Sequence, residues 1–177
     1  MTTHGNSAPL LTEEYLARAY RGVSRKFPSR LLRDFDLFSR KVLSPGWRRL
    51  TAREQQIGVE EARRAFLKQD RRVIGQRTIS VLFDQLAARA AFHAGDPLAE
   101  SRFLSRCLRT RSRTFDRASA YEEVVGALLA AKKRPAARRY WEAGLRYTKG
   151  RNEYAHAALR VFAAALSERP KLGRARD

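Results

Sequence analysis

Apolar residues along the chain recur at intervals of three and four, the spacing that lines one face of a helix. Leu16, Tyr20, Val23 and Phe27 form a first stripe, and Leu31, Phe35, Phe38 and Val42 repeat its spacing. Ile57, Val59, Ala62, Ala65 and Phe66 supply the apolar side of a third. The punctuation between them agrees. Thr12 is a good N-cap, with Glu13 and Glu14 in the positive first turn behind it. Pro28 stops that helix, because the residue before a proline is pushed out of the helical region. Ser29 caps the next helix, and Ser44-Pro45-Gly46 reads as the turn that ends it. Thr51-Ala-Arg-Glu54 has the form of a capping box and opens a helix to about Gln69. Strand signals, period-two runs and Asn-Gly or Asp-Gly hairpin turns, are almost absent. The expected class is all-α, starting with three helices in a compact bundle.

The second half is richer in alanine and has evenly spaced breaks. Ala90–Leu108 aligns with Gly126–Leu145 so that Phe92 falls on Leu129, Ala94 on Ala131, Ala99 on Ala136, Phe103 on Tyr140 and Leu108 on Leu145. Each pair is 37 residues apart. Helix, short turn and helix, with small residues at the crossing, is the logic of tetratricopeptide-like hairpins, whose repeat is about 34 residues. Two copies and a last helix from Asn152 to about Glu168 are too few to stand alone, so the array is expected to pack on the N-terminal bundle. The expected organisation is a flexible stretch over 1–11, the bundle over 12–72, the hairpin extension over 73–168 and a basic tail over 169–177.

Composition adds a partner class. The 177 residues hold 37 Lys and Arg against 18 Asp and Glu, a net charge of +19, which favours nucleic acid, an anionic membrane surface or an acidic protein. No apolar run approaches the roughly 18–20 residues that span a bilayer. The opening MTTHGNSAPLLTEEY reads as neither a signal peptide nor an Arg-rich presequence. The single cysteine, Cys107, excludes an internal disulfide and fits a reducing compartment.

Ala19-Tyr20-Arg21, Arg25 four residues later and Phe27-Pro28 are followed by a basic helix with Arg33, Phe35, Phe38 and Arg40-Lys41. Then come Leu50-Thr51 and the run VEEARRAFLKQDRR. This ordered set resembles the LYR family of mitochondrial three-helix adaptors over about residues 12–72. Ala19 stands where that family has leucine, and Ser24 where another leucine is usual. The resemblance implies a non-catalytic adaptor that binds mitochondrial acyl carrier protein, an acidic partner whose acyl-4'-phosphopantetheine enters between the adaptor's helices. Tyr20 and Arg21 would then sit near the prosthetic-group entrance, Phe38 would line the acyl path, and Arg25, Arg40 and Lys41 would face the carrier. It also implies the mitochondrial matrix, or the matrix face of the inner membrane. There the chain would be an accessory subunit among neighbouring subunits of a large complex, respiratory complex I foremost. A mitoribosomal protein or ribosome-assembly factor is the alternative within the family. No cofactor of the chain's own is expected.

The residues themselves leave more than one reading open. From Arg21 to Arg49, Lys or Arg stand at 21, 25, 26, 30, 33, 40, 41, 48 and 49 against Asp34 and Asp36, a surface that suits carboxylates and phosphates equally. Taken alone, the phenylalanines read as closed core. Lys132–Arg151 is a second basic block, with eight cations against Glu142 and with Tyr140, Trp141 and Tyr147 interleaved. Lys132, Lys133, Arg134, Arg138 and Arg139 are candidate contacts for ribosomal RNA or an acidic subunit, and Tyr140 and Trp141 with Leu145 read as hairpin core. A helical-repeat RNA-binding protein without a carrier is therefore the second class of function. His4, His93 and His156 are scattered, which argues against zinc, and His93 reads as a turn residue. Cys107 sits on an apolar helix side with Phe103, Leu104 and Leu108 and no orienting base. Glu60-Glu61 and Glu122-Glu123 diverge around a helix, so neither makes a catalytic carboxylate pair.

Overall fold

In the computed structural model of this protein, the described residues are 37, 38, 40–42, 44–68, 74–110 and 115–167, with backbone only for 74–79. Every regular element among them is a helix, as the periodicity requires. The chain divides into two compact units, one ending at Asp116 and one starting at Arg117. This differs from a boundary near residue 72: the first hairpin belongs with the helices before it.

In the first unit, residues 37, 38 and 40–42 are helical, with Phe38 and Val42 buried and Leu37 outward. Ser44-Pro45-Gly46 is not simply a turn. Ser44 accepts a hydrogen bond from the Trp47 amide and caps a short helix, α1 (Pro45–Arg48), with proline at its first position. α2 (Ala52–Leu67) opens on the expected capping box, in which Thr51 accepts from the Glu54 amide and Glu54 accepts from the Thr51 amide. Its inward face is Gln55, Gln56, Val59 and Phe66. Ile57 and Ala65, expected inside, are exposed, because the buried stripe runs 55/56, 59, 62/63 and 66, and Ile57 is nearly opposite. The buried Gln55 side chain donates through Nε2 to the carbonyls of Trp47 and Leu50, which closes the α1–α2 turn, while its Oε1 is buried without a partner among the described residues.

α3 (Ile74–His93) packs between α2 and α4 (Pro97–Arg109). The core is aromatic: Phe38 lies 5.2 Å from Phe83 and 6.2 Å from Trp47, ring centre to ring centre, and Phe66 lies 5.2 Å from Phe83. Gly58 is what lets the Trp47 ring approach α2, since a Cβ there would sit 2.8 Å from it.

The second unit holds α5 (Arg117–Ala130), α6 (Arg134–Thr148), α7 (Glu153–Val161) and α8 (Ala163–Ser167). α5, α6 and α7 pack on one another at small residues. A Cβ at Gly144 would meet Leu159 Cδ1 and Tyr121 Cβ, each at 2.9 Å. The expected last helix breaks at Phe162. There the Leu159 carbonyl accepts the Trp141 indole N–H at 2.8 Å as well as the Phe162 amide, and a side chain entering the helical ladder in this way interrupts it.

The 37-residue offset is visible in the backbone of the hairpin turns. Gly95 and Asp96 donate to the carbonyls of Phe92 and Ala91; Lys132 and Lys133 donate to those of Leu129 and Leu128. Both sets are Schellman turns, in which the residue after the helix adopts the left-handed conformation. Gly95 has φ +67° and Lys132, its counterpart, φ +57°.

Candidate interaction surfaces

Side chains that could carry chemistry fall on three places. On the helical segment around residue 40, Phe38 and Val42 point into the core while Arg40 and Lys41 are exposed. Lys41 Nζ lies 5.9 Å from the centre of the Trp47 ring, a cation–π contact that ties the basic face to the aromatic core beneath it. Phe38 is itself core, with Trp47 and Phe83 against it. Tyr20, Arg21 and Arg25 lie outside the described residues.

The second place is a buried charge cluster that the sequence did not reveal. Asp84 on α3 is only 4% exposed and is paired with Arg63 of α2 and, at 3.9 Å, Arg106 of α4. Both guanidinium groups also approach Phe103, at 5.6 and 5.4 Å from its centre. Burial pushes the Asp84 carboxyl above its usual range, outweighing the two cations that pull it down. The cluster ties three helices together. Its one recognisable signal is an aspartate within the otherwise apolar face Val81, Phe83, Leu86, Ala87.

The hairpin turn beside it uses charge differently. Asp96 caps α4 by accepting from the Ala99 amide at 3.0 Å, and it receives Arg53 at 3.1 Å and Gln56 at 3.4 Å from α2. The amide bond, foremost, holds its carboxyl below the ordinary value. Cys107 is fully buried, its thiol 3.7 Å from the Val81 carbonyl. His93 is the last residue of α3, at the turn, with its pKa lowered by desolvation and by the Arg89 charge.

The third place is the second hairpin. Lys132 and Lys133 form its exposed turn, and Lys133 stands at the N-cap of α6 without a side-chain hydrogen bond. Arg134 is half-buried, and Arg138 is exposed with its guanidinium donating to the Leu166 carbonyl at 3.0 Å. Arg139 and Arg146 are exposed two turns apart on the same helix face, and Lys149 continues that face. Tyr140, Trp141 and Leu145 are half-buried rather than enclosed. The Tyr147 ring is approached by the guanidinium groups of Arg117, at 5.6 Å, and Arg151, at 5.3 Å. Tyr154, in the first turn of α7, is 85% exposed. Sequence reading passed over it, although it is out of phase with the buried pair Ala155 and Leu159.

Among the described residues, no three His, Cys, Asp or Glu side chains are grouped so as to hold a metal ion, and no helix is long and apolar enough to cross a membrane. No protein-family model, curated protein or solved structure matches this chain.

Proposed function

We propose that this chain is a non-catalytic helical adaptor of LYR type that docks mitochondrial acyl carrier protein and anchors it in a large mitochondrial assembly, respiratory complex I foremost. The reading rests on the ordered LYR-like pattern of residues 12–72. The observation that carries it is the division of one short helical segment: Phe38 and Val42 lie in the core, with Arg40 and Lys41 exposed above them. A carrier needs both, cations outside for its carboxylates and an apolar interior for its acyl chain. Each methylene taken into that interior contributes about 0.8 kcal/mol.

Because Trp47 and Phe83 lie against the Phe38 ring, an acyl chain reaching Phe38 must shift one of them. Trp141→Phe leaves Trp47 as the sole indole, since the chain has two tryptophans. Co-expression with phosphopantetheinylated, acylated carrier is expected to yield a stable complex with altered Trp47 fluorescence. A carrier whose prosthetic-group serine is replaced by alanine is expected to yield none. Arg40→Glu with Lys41→Glu is expected to weaken the complex by about tenfold or more. Equal recovery of both carriers, or no complex with either, refutes the reading.

A further inference from the structure

The structure carries a second surface, on the other compact unit, that carrier docking does not use. Lys132, Lys133, Arg139, Arg146 and Lys149 form no ion pair among the described residues. In the first unit Asp84, Asp96 and Glu60 pair with arginines, while Arg48, Arg49, Lys68, Arg102 and Arg109 are likewise exposed without an ion pair among the described residues. All of these lysines and arginines of the second unit are exposed. They follow α6 for its full length, roughly 22 Å at 1.5 Å per residue. The outward face between them carries one carboxylate, Glu142, between Arg139 and Arg146, and no large apolar residue, so it lacks the buried anchor around which protein interfaces are built.

The end of this track carries a different group. After Lys149, the turn at Gly150 leads into α7, and Tyr154 projects from its first turn with 85% of its surface open. An aromatic ring at that exposure can stack with a flat partner. The beginning of the track carries a third observation. At the turn where the first hairpin has Gly95-Asp96, suited to the left-handed position and to the cap, the second has Lys132-Lys133. The local conformation is thus held by residues poorly suited to it, and what they add is positive charge.

We infer that α6 and the start of α7 bind a single-stranded nucleic acid, its phosphates along Lys132, Lys133, Arg139, Arg146 and Lys149 and an unstacked base on Tyr154. Cations along one helix with an adjoining open ring are the two parts of a single-strand site: an electrostatic track and a stacking platform. A duplex would use only the first.

The test uses the full chain and fluorescein-labelled strands of about 20 nucleotides, RNA and DNA of one sequence, read by anisotropy between about 50 and 200 mM salt. The plot of log affinity against log salt should fall with a slope of about −0.7 for each phosphate neutralised. Arg146→Gln with Lys149→Gln should make that slope shallower by about 1.4. Tyr154→Ala should weaken single-strand binding by about 5- to 100-fold, leaving the slope and duplex binding unchanged, and Tyr154→Phe should retain it. These responses with either strand support the site, and the RNA-to-DNA ratio then identifies its natural ligand. Wild-type affinity in both the Tyr154→Ala and the Arg146→Gln/Lys149→Gln variants overturns it, as does tighter binding of polyglutamate than of the strand. The surface at Arg40 and Lys41 is untouched by these variants, so carrier docking stands or falls separately.

Discussion

The two hairpin turns have the same backbone and different residues, which makes one of them a control for the other. Replacing Lys132-Lys133 by the Gly-Asp of the first turn should stabilise the protein. Lys132 sits at φ +57°, where a residue with a Cβ is disfavoured by about 1–2 kcal/mol. Glycine removes that penalty but loses about 0.5–1 kcal/mol to its freer unfolded chain. The carboxylate introduced by Lys133→Asp could accept from the Ala136 amide as Asp96 accepts from that of Ala99, a cap contributing about 1 kcal/mol. Exchanging a cation for an anion at the positive end of α6 adds about 0.3–1 kcal/mol. The sum is about 2 kcal/mol, or about 4–8 °C in Tm if the whole chain melts together. Differential scanning calorimetry at neutral pH measures it, and the reciprocal Gly95→Lys should lower Tm. An unchanged or lower Tm for Lys132→Gly/Lys133→Asp, with helical circular dichroism intact, refutes the account of strain and a missing cap.

The buried cluster predicts that Asp84→Asn destabilises by about 3 kcal/mol in urea unfolding, because Arg63, 13% exposed, loses its counter-charge; Arg63→Met with Asp84→Leu should recover most of that loss. Gly144→Ala should cost about 1–2 kcal/mol against Tyr121 and Leu159, whereas Gly126→Ala, whose nearest foreign atom would be Phe162 Cζ at 3.8 Å, should gain about 0.5–1 kcal/mol. Asp96 has a depressed carboxyl, so its contribution is present above its unfolded value of 3.8 and is lost as pH falls through the lower folded value. Asp96→Asn keeps a capping side chain without the titration, and the wild type should therefore lose more of its urea midpoint than this variant between about pH 6 and pH 3.

What was legible in the sequence was local. Thr51 and Glu54 meet within one turn, so four letters sufficed to place the start of α2. The hairpins were legible because alanines and breaks recur at a fixed offset, and the hydrogen bonds of both turns follow that offset. The errors come from partners distant in sequence. Gln55 and Gln56 take the inward positions instead of Ile57 because the Trp47 and Leu50 carbonyls and Asp96 accept from their NH2 groups. The first hairpin joins the N-terminal unit because Phe83 meets Phe38 and Phe66, and Asp84 meets Arg63. Ser44-Pro45 is equally the signature of a helix start, and Gly46 concealed it. Around residue 40 the phase of the second stripe places Phe38 and Val42 inside, where they are buried, while Tyr154 required the phase of α7 to be known.

The turn variant also separates two explanations of the lysines. If Lys132 and Lys133 are merely tolerated on a solvated surface, Lys132→Gly/Lys133→Asp gains stability and changes nothing else. If they hold phosphates, the same variant gains stability and loses single-strand affinity, with a salt slope shallower by at least about 1.4, since two cations are removed and one anion is added. Calorimetry and anisotropy on one preparation measure both. Unfolding cannot mimic the second outcome, because the variant that binds more weakly is the one that melts higher. A higher Tm with unchanged strand affinity would confine the site to Arg139, Arg146, Lys149 and Tyr154 and leave the strained turn without a function. A higher Tm with weakened binding would show a trade of stability for charge at a single turn, as expected where a binding site overrides local preference.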